Sequence, residues 1–367
     1  MNSLLKQVFD LQGQSPWLDN LQRSYLTSGN LQKLVESGVR GLTSNPTIFQ
    51  KAIQGSTDYD QQFELEIKKG LSPVEAYWEM VIADIHGALD VFEDVYNQSG
   101  GTDGFVSVEV DPSLATHGDT TLVAARALHE RIARPNVMIK IPATKEGLPA
   151  IQQMIAEGRS VNVTLIFSLQ RYADVMEAYL SGLESRLASG LDISRVQSVA
   201  SFFISRVDNV IDAQLDAHAS EEAQHLKGTA AIAQAKLAYA LFQEKFSGDR
   251  WQTLKDAGAH VQRPLWASTS TKNPSYPDTL YVDSLIGPHT VNTLPDATLN
   301  AFADHGVVAR TIDVEIDRAR ENWNSLRSFG VEVDEIAATL ERDGVASFIA
   351  SFEDLIDSLR DKASTFS

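Results

Sequence analysis

Short apolar runs recur along the chain, separated by longer segments with helical spacing. The clearest are Gly38–Thr43 (GVRGLT), Phe105–Val110 (FVSVEV), Val137–Ile141 (VMIKI), Val161–Phe167 (VNVTLIF), Val196–Phe203 (VQSVASFF), Pro264–Ser268 (PLWAS) and Thr290–Leu294 (TVNTL). Pro16–Leu21 (PWLDNL) is a weaker eighth. Between them, Thr121–Ala133 sets Leu122, Ala125, Leu128 and Ile132 on one helical face, and Lys145–Glu157 and Leu169–Ala188 show the same 3.6-residue period. A strand–helix alternation of this length predicts an all-parallel sheet, either closed into a barrel or doubly wound.

Side-chain parity separates the two. Successive strand residues face opposite sides. In FVSVEV the valines at 106, 108 and 110 oppose Ser107 and Glu109. In VMIKI, Val137, Ile139 and Ile141 oppose Met138 and Lys140, and in VNVTLIF, Val161, Val163 and Leu165 oppose Asn162, Thr164 and Ile166. The inner strands of an open sheet covered on both faces should be apolar on both sides. An aliphatic face paired with a polar one fits an α/β fold of the (β/α)8 barrel type, whose interior meets a site at the strands' C-terminal ends.

The chain reads as a single barrel domain over residues 1–367 with two helical additions. One lies around 56–96, where Ser72 is placed to cap a helix, with Pro73 first and Glu75 three residues after the cap. The other lies around 306–367, within an all-helical Asp296–Ser367 with breaks expected near Gly306, Gly330 and Gly344. This C-terminal part is read either as a cover over the barrel or as a contact for a partner.

Composition narrows the function. The 367 residues carry a formal net charge of −18 and contain no Cys. Such a charge disfavours nucleic acid and anionic membranes as partners, though a few cations in one cleft can still hold an anionic substrate. No run approaches the roughly 20 apolar residues of a membrane span. The first residues, MNSLLKQVFDLQGQSP, lack a signal-peptide pattern, so a cytoplasmic location is expected. Thiolate chemistry is excluded. The eight His form no HExxH or close pair, and no Walker A, GxGxxG or GxSxG is present, so no metal site is expected.

Lys140 is the residue with the most chemical promise. An ammonium among Val, Met and Ile loses hydration, which lowers a lysine's pKa and frees the amine for attack on a carbonyl. The alternative is a strand-end lysine reaching solvent along its flexible stem, and spacing alone leans that way. Glu109 and Thr164 share the polar interior with Lys140, where a carboxylate can move protons or simply hold a structural hydrogen bond. Asp19 carries the same ambiguity. Asn45, in LTSNPT, also reads as an ordinary turn residue.

GLTSNPTIF (Gly41–Phe49), VEVDP (Val108–Pro112), IKIPAT (Ile139–Thr144), NVTLIFS (Asn162–Ser168) and SFFISR (Ser201–Arg206) occur in that order. Together they resemble the successive strand-end motifs of transaldolases, from about Asp19 to about Leu294, and the length is closest to the longer bacterial type. The resemblance implies that Lys140 forms a Schiff base with a ketose and Asp19 acts as acid/base in carbon–carbon cleavage. Glu109 and Thr164 would position a water, Asn45 would bind the dihydroxyacetone part, and Ser201 would neighbour it. Arg206 would bind phosphate. The implied partners are phosphorylated sugars, with no cofactor. The implied reaction moves a dihydroxyacetone unit from sedoheptulose 7-phosphate to glyceraldehyde 3-phosphate, giving erythrose 4-phosphate and fructose 6-phosphate. An aldolase releasing free dihydroxyacetone and a silent sugar-phosphate-binding barrel are the alternatives. One departure stands out. Family members often carry Ser-x-Arg after the seventh strand, whereas ASTSTKNP keeps Ser268 and places Ser270 at the arginine position, with Lys272 two residues on. Lys272 is read either as the second cation of the phosphate site, beside Arg206, or as a solvated loop lysine.

Overall fold

A computed structural model describes residues 3–366. Eight parallel strands close into a barrel in sequence order. They are β1 (Gln14–Leu18), β2 (Leu42–Thr43), β3 (Val106–Glu109), β4 (Val137–Pro142), β5 (Val161–Ile166), β6 (Ser198–Phe203), β7 (Arg263–Ala267) and β8 (Thr290–Leu294). Helices fill the connections, so the expected (β/α)8 barrel with additional helices is the fold.

The parity reading holds inside the barrel. Asn162 donates to Ser107 Oγ at 3.0 Å and accepts from Ser201 Oγ at 2.7 Å. The polar faces of β3, β5 and β6 thus meet in one interior layer, while Val106, Val108, Ile139, Val161 and Val163 are buried on the helical side. The alternation fails late in β5. Leu165 takes φ 61°, and the β5–β6 register shifts between Val163 and Ile166. A bulky residue in the left-handed region marks a site where packing overrides backbone preference.

The first strand lies at Gln14–Leu18 instead of Pro16–Leu21. Its opening residues are polar but fully paired inside. Gln14 Nε2 donates to Leu285 O at 2.7 Å and to Thr290 Oγ1 at 2.9 Å, and Ser15 Oγ donates to Asp103 at 2.5 Å. Hydropathy alone cannot see that compensation. The second strand shrinks to two residues. At its start Gly41 has no room for a side chain, since a Cβ there would come within 2.4 Å of the Trp17 ring.

Between β2 and β3 the chain forms helices Pro46–Gln54, Asp60–Lys68, Pro73–Val91 and Glu93–Gln98. Ser72 caps the third as expected: Ser72 N donates to Glu75 Oε2 at 2.8 Å and Glu75 N to Ser72 Oγ at 3.3 Å. After β8, helices Asp296–His305 and Ile316–Ser325 lead to a 31-residue helix, Val333–Ala363. Gly306 and Gly330 end elements, but Gly344 does not break the last helix. It is buried where that helix crosses the barrel, and a Cβ on it would come within 3.0 Å of Leu165 Cδ2 and 3.6 Å of Arg206 Nη1. Smallness at a close crossing, not termination, is its role.

Replacing Gly in a helix interior ordinarily gains about 1 kcal/mol. Gly344→Val is expected instead to lose roughly 1–3 kcal/mol of stability by overpacking Leu165, measured as a lowered urea midpoint at unchanged slope.

Candidate active site

The C-terminal strand ends surround a cavity of about 370 Å³. Lys140, Asp19, Thr164, Asn45, Ser201, Arg206, Ser268 and Lys272 all line it. Glu109 lies directly behind, on the strand paired with that of Lys140.

Lys140 sits on the inward face of β4, where the β3–β4 register sets it opposite Glu109. Its side chain is 5% exposed, so it does not snorkel to solvent. The Nζ donates to Ser44 O at 3.1 Å and lies 3.1 Å from Glu109 Oε2. The Phe348 ring, from the C-terminal helix, lies 5.8 Å from the same nitrogen. Glu109 is equally buried, and burial raises its carboxyl pKa, with Lys140 opposing the shift and Asp19 adding to it. Neither Glu109 oxygen has a well-directed hydrogen bond, nor does the buried hydroxyl of Thr164, among the described residues.

Asp19 follows β1 directly, which brings its carboxylate over the barrel. It accepts from Thr43 Oγ1 at 2.7 Å, and Thr43 also meets Thr293 Oγ1 at 2.6 Å. Burial raises the Asp19 pKa; Lys140, the Thr43 hydroxyl and Arg206 pull it down by less. A carboxylate with a raised pKa is suited to accept and return a proton near neutrality.

Asn45 does serve the turn that its sequence context implies. Its Oδ1 caps helix Pro46–Gln54 by accepting from Ile48 N at 3.0 Å. The cap fixes which end of the amide is occupied and leaves Nδ2 as the donor that it can offer the cavity. Ser201 Oγ is committed to Asn162 as donor, leaving its lone pairs.

Arg206 opens helix Ser205–Leu215, and its guanidinium stands 5.1 Å from the Phe203 ring. Ser268 is held in the left-handed region at φ 56°, with its hydroxyl 2.9 Å from that of Ser205. Backbone strain of this kind persists where surroundings over-determine it, often at sites. Ser270, at the position of the missing arginine, pairs with Thr298 Oγ1 at 2.7 Å. Lys272 and Arg206 both line the cavity.

Several wall residues escape sequence reasoning. Lys51 adds a further cation, one helical turn and more after Asn45, and Thr43 supports Asp19. Ser347 and Phe348 arrive from more than 180 residues beyond Thr164. The pattern around Lys51 and Thr43 was visible in GLTSNPTIFQK, but nothing in the sequence announces that the last helix crosses the mouth. Asp19 is the sole carboxylate facing Lys140, Lys51, Arg206 and Lys272 across the cavity among the described residues.

A lysine amine and two carboxyl groups at the C-terminal mouth of a parallel eight-stranded barrel define the site of a barrel enzyme. Residues 16–359 match the family described as Transaldolase/Fructose-6-phosphate aldolase, and the chain belongs to that family. It is 50% identical to the transaldolase of Thermobifida fusca over 359 residues, 97% of each chain. It is 49% identical to transaldolase 1 of Streptomyces avermitilis over 350 residues, 95% of this chain and 93% of that one. Transaldolase 2 of Streptomyces coelicolor is 47% identical over 360 residues, 98% and 96% of the two chains. No helix among the described residues is long and apolar enough to cross a membrane.

The raised Asp19 pKa has a consequence for stability. A carboxyl whose pKa is higher folded than unfolded favours folding most below the unfolded value and loses that contribution as pH rises through the folded one. Above it the buried charge is a net cost. Asp19→Asn is therefore expected to raise the melting temperature at pH 7.5, with the gain shrinking toward pH 4; an equal gain at both pH values would contradict the assignment.

Proposed function

We propose that this chain is a cytoplasmic transaldolase that carries a dihydroxyacetone unit on Lys140 between phosphorylated sugars, from sedoheptulose 7-phosphate to glyceraldehyde 3-phosphate. The observation that carries this reading is the buried Lys140 amine, 3.1 Å from Glu109 Oε2 and open to a cation-lined cavity.

The chemistry follows from the positions. Glu109, with its pKa raised by burial, takes a proton from the Lys140 ammonium. The neutral amine adds to the ketose C2 carbonyl, and loss of water leaves a protonated iminium. Glu109 and Thr164 flank Lys140 on the adjacent strands β3 and β5, and their unpaired polar atoms suit a water that shuttles protons in both steps. Asp19 then accepts the C4 hydroxyl proton. The C3–C4 bond breaks, its electron pair passes into the iminium to give an enamine, and the aldose leaves. An incoming aldehyde reverses these steps with the proton returned by Asp19, and hydrolysis of the new iminium frees the product and Lys140. Asn45 and Ser201 hold the dihydroxyacetone hydroxyls. Arg206, Ser268 and Lys272 bind the phosphate at the far side of the cavity, Lys272 as a point charge without the bidentate fork of an arginine.

The wall contributed by Phe348 favours transfer over loss of free dihydroxyacetone, because it excludes water from the enamine.

Borohydride added with fructose 6-phosphate should leave a reduced adduct on the peptide containing Lys140, and none in Lys140→Ala. Cleavage of fructose 6-phosphate should need an acceptor such as erythrose 4-phosphate for the chemistry to turn over; rapid acceptor-independent release would make the chain an aldolase instead. Lys272→Ala and Arg206→Ala should each raise KM for fructose 6-phosphate, roughly tenfold or more for the arginine, with a smaller change in kcat. An unchanged KM in Lys272→Ala would remove Lys272 from the phosphate site.

A further inference from the structure

The opposite end of the barrel carries a second and larger cavity, of about 640 Å³. Its wall comes from the residues just before the strands or at their starts: Gly13 before β1, Arg40 before β2, Asp103 before β3, Gln197 before β6, Arg263 opening β7 and His289 before β8. None of these residues reaches the Lys140 cavity. In a barrel enzyme this face ordinarily serves stability, so a roomy, charged hollow there needs its own account.

Asp103 is the centre of the hollow. It is buried, and it accepts from Ser15 Oγ at 2.5 Å, Trp17 Nε1 at 3.0 Å and Arg40 Nε at 2.8 Å, while Arg263 Nη2 lies 3.5 Å away. One carboxylate therefore serves two guanidiniums. Arg40 is further fixed by stacking over Phe9 at 3.5 Å. Lys255 adds a third cation, and it has no ion pair among the described residues. The two imidazoles on the wall are held mainly neutral by burial, with the neighbouring cations adding to the effect. Burial and then Arg263 depress His260, and burial, Arg263 and Lys255 depress His289. A positive basin of this kind is unexpected in a chain of net charge −18.

Part of the lining is aromatic. Phe242, Phe246 and Trp251 form it, with the Phe246 and Trp251 rings edge to face at 4.9 Å. Pre-oriented guanidiniums match phosphate oxygens in a way that a point charge does not. The aromatic rings in the same lining add a place for a planar ring. The volume lies within the range of small-molecule sites.

We propose that this hollow is a second ligand site, distinct from the catalytic cavity, for an organic phosphate bearing a planar ring, of the nucleoside diphosphate class. Arg263, Arg40 and Lys255 hold the phosphates, and the ring packs on the Phe246–Trp251 side.

The test is isothermal titration calorimetry of the full chain with ADP, set against pyrophosphate and adenosine alone. Saturable binding of ADP below about 1 mM is expected, with adenosine and pyrophosphate each at least tenfold weaker. Lys255→Glu, at an exposed position that leaves the fold intact, should weaken ADP roughly tenfold or more, and Arg263→Gln should do the same. Arg206→Ala, in the catalytic cavity, should bind ADP as the parent does. No saturable heat, indifference to Lys255→Glu, pyrophosphate binding as tightly as ADP, or loss of binding in Arg206→Ala would each overturn the proposal. The last outcome would place the nucleotide in the catalytic cavity without touching the reading of Lys140, which the borohydride adduct tests separately.

Discussion

The contact between Lys140 Nζ and Glu109 Oε2, 3.1 Å apart and almost wholly out of water, is the constraint around which the barrel is organised. Burying either charge alone would cost several kcal/mol, and removing one partner leaves the other uncompensated. The two ions must therefore arrive together, and only the β3–β4 register brings them together. That register sets Glu109 beside Lys140 and Val108 beside Ile139. A slip of one residue would turn Glu109 into the aliphatic helical layer and a valine into the polar interior. The aliphatic faces of β3 and β4 thus enforce the pairing of the charges, and the pairing of the charges forbids the alternative register. Function and fold are selected by the same alternation.

The remainder of the mouth distributes charge around that pair. Asp19 shares the cavity with four cations, yet burial outweighs the pull of Lys140 and Arg206 and raises its pKa. A carboxylate left in water beside so many cations would be a poor base. Desolvation at the end of β1 and the Thr43 hydroxyl hold it at the point where it can exchange a proton. The C-terminal helix matters for the same reason. Phe348 closes the side of the cavity near Lys140, and Gly344 lets the helix approach Leu165 and Arg206 closely enough to do so. Water exclusion strengthens each electrostatic contact inside. A strand bent out of alternation at Leu165 and a glycine carried in mid-helix are the structural accommodations that this crossing requires.

Much of this was legible in the chain. Strict alternation in FVSVEV and VMIKI is a local signal, and it alone assigns Glu109 and Lys140 to one interior. The ordered motifs then single out Asp19, Asn45 and Arg206 as candidates, since their residue types alone are ambiguous. What hydropathy misjudged was tertiary. Gln14 and Ser15 are polar, so the first strand was read as starting at Pro16, but their partners lie 271 and 88 residues away. Gly344 has the appearance of a helix end because glycine disfavours helices, whereas a close crossing selected it. Ser347, Phe348 and the basin around Asp103 are equally products of long-range assembly, and no periodicity encodes them.

Two buried carboxylates, Asp103 at the floor and Glu109 at the mouth, differ in how completely they are hydrogen-bonded, and the difference follows from their tasks. At the floor, Asp103 gathers Ser15, Trp17 and Arg40 and faces Arg263, which knits β1, β2, β3 and β7 together at their starts. At the mouth, Glu109 and Thr164 are buried with unspent hydrogen-bonding capacity, and Ser268 holds a left-handed backbone. Unpaired groups cost stability, and they persist only where the rest of the structure supplies it. A mouth whose carboxylates were as fully bonded as Asp103 would be more stable, but its lysine, carboxylates and hydroxyls would have nothing left to offer a substrate. The bonded cluster around Asp103 offsets the cost of the unspent groups at the mouth, and the rigid strands between them carry that stability to the atoms that must stay reactive.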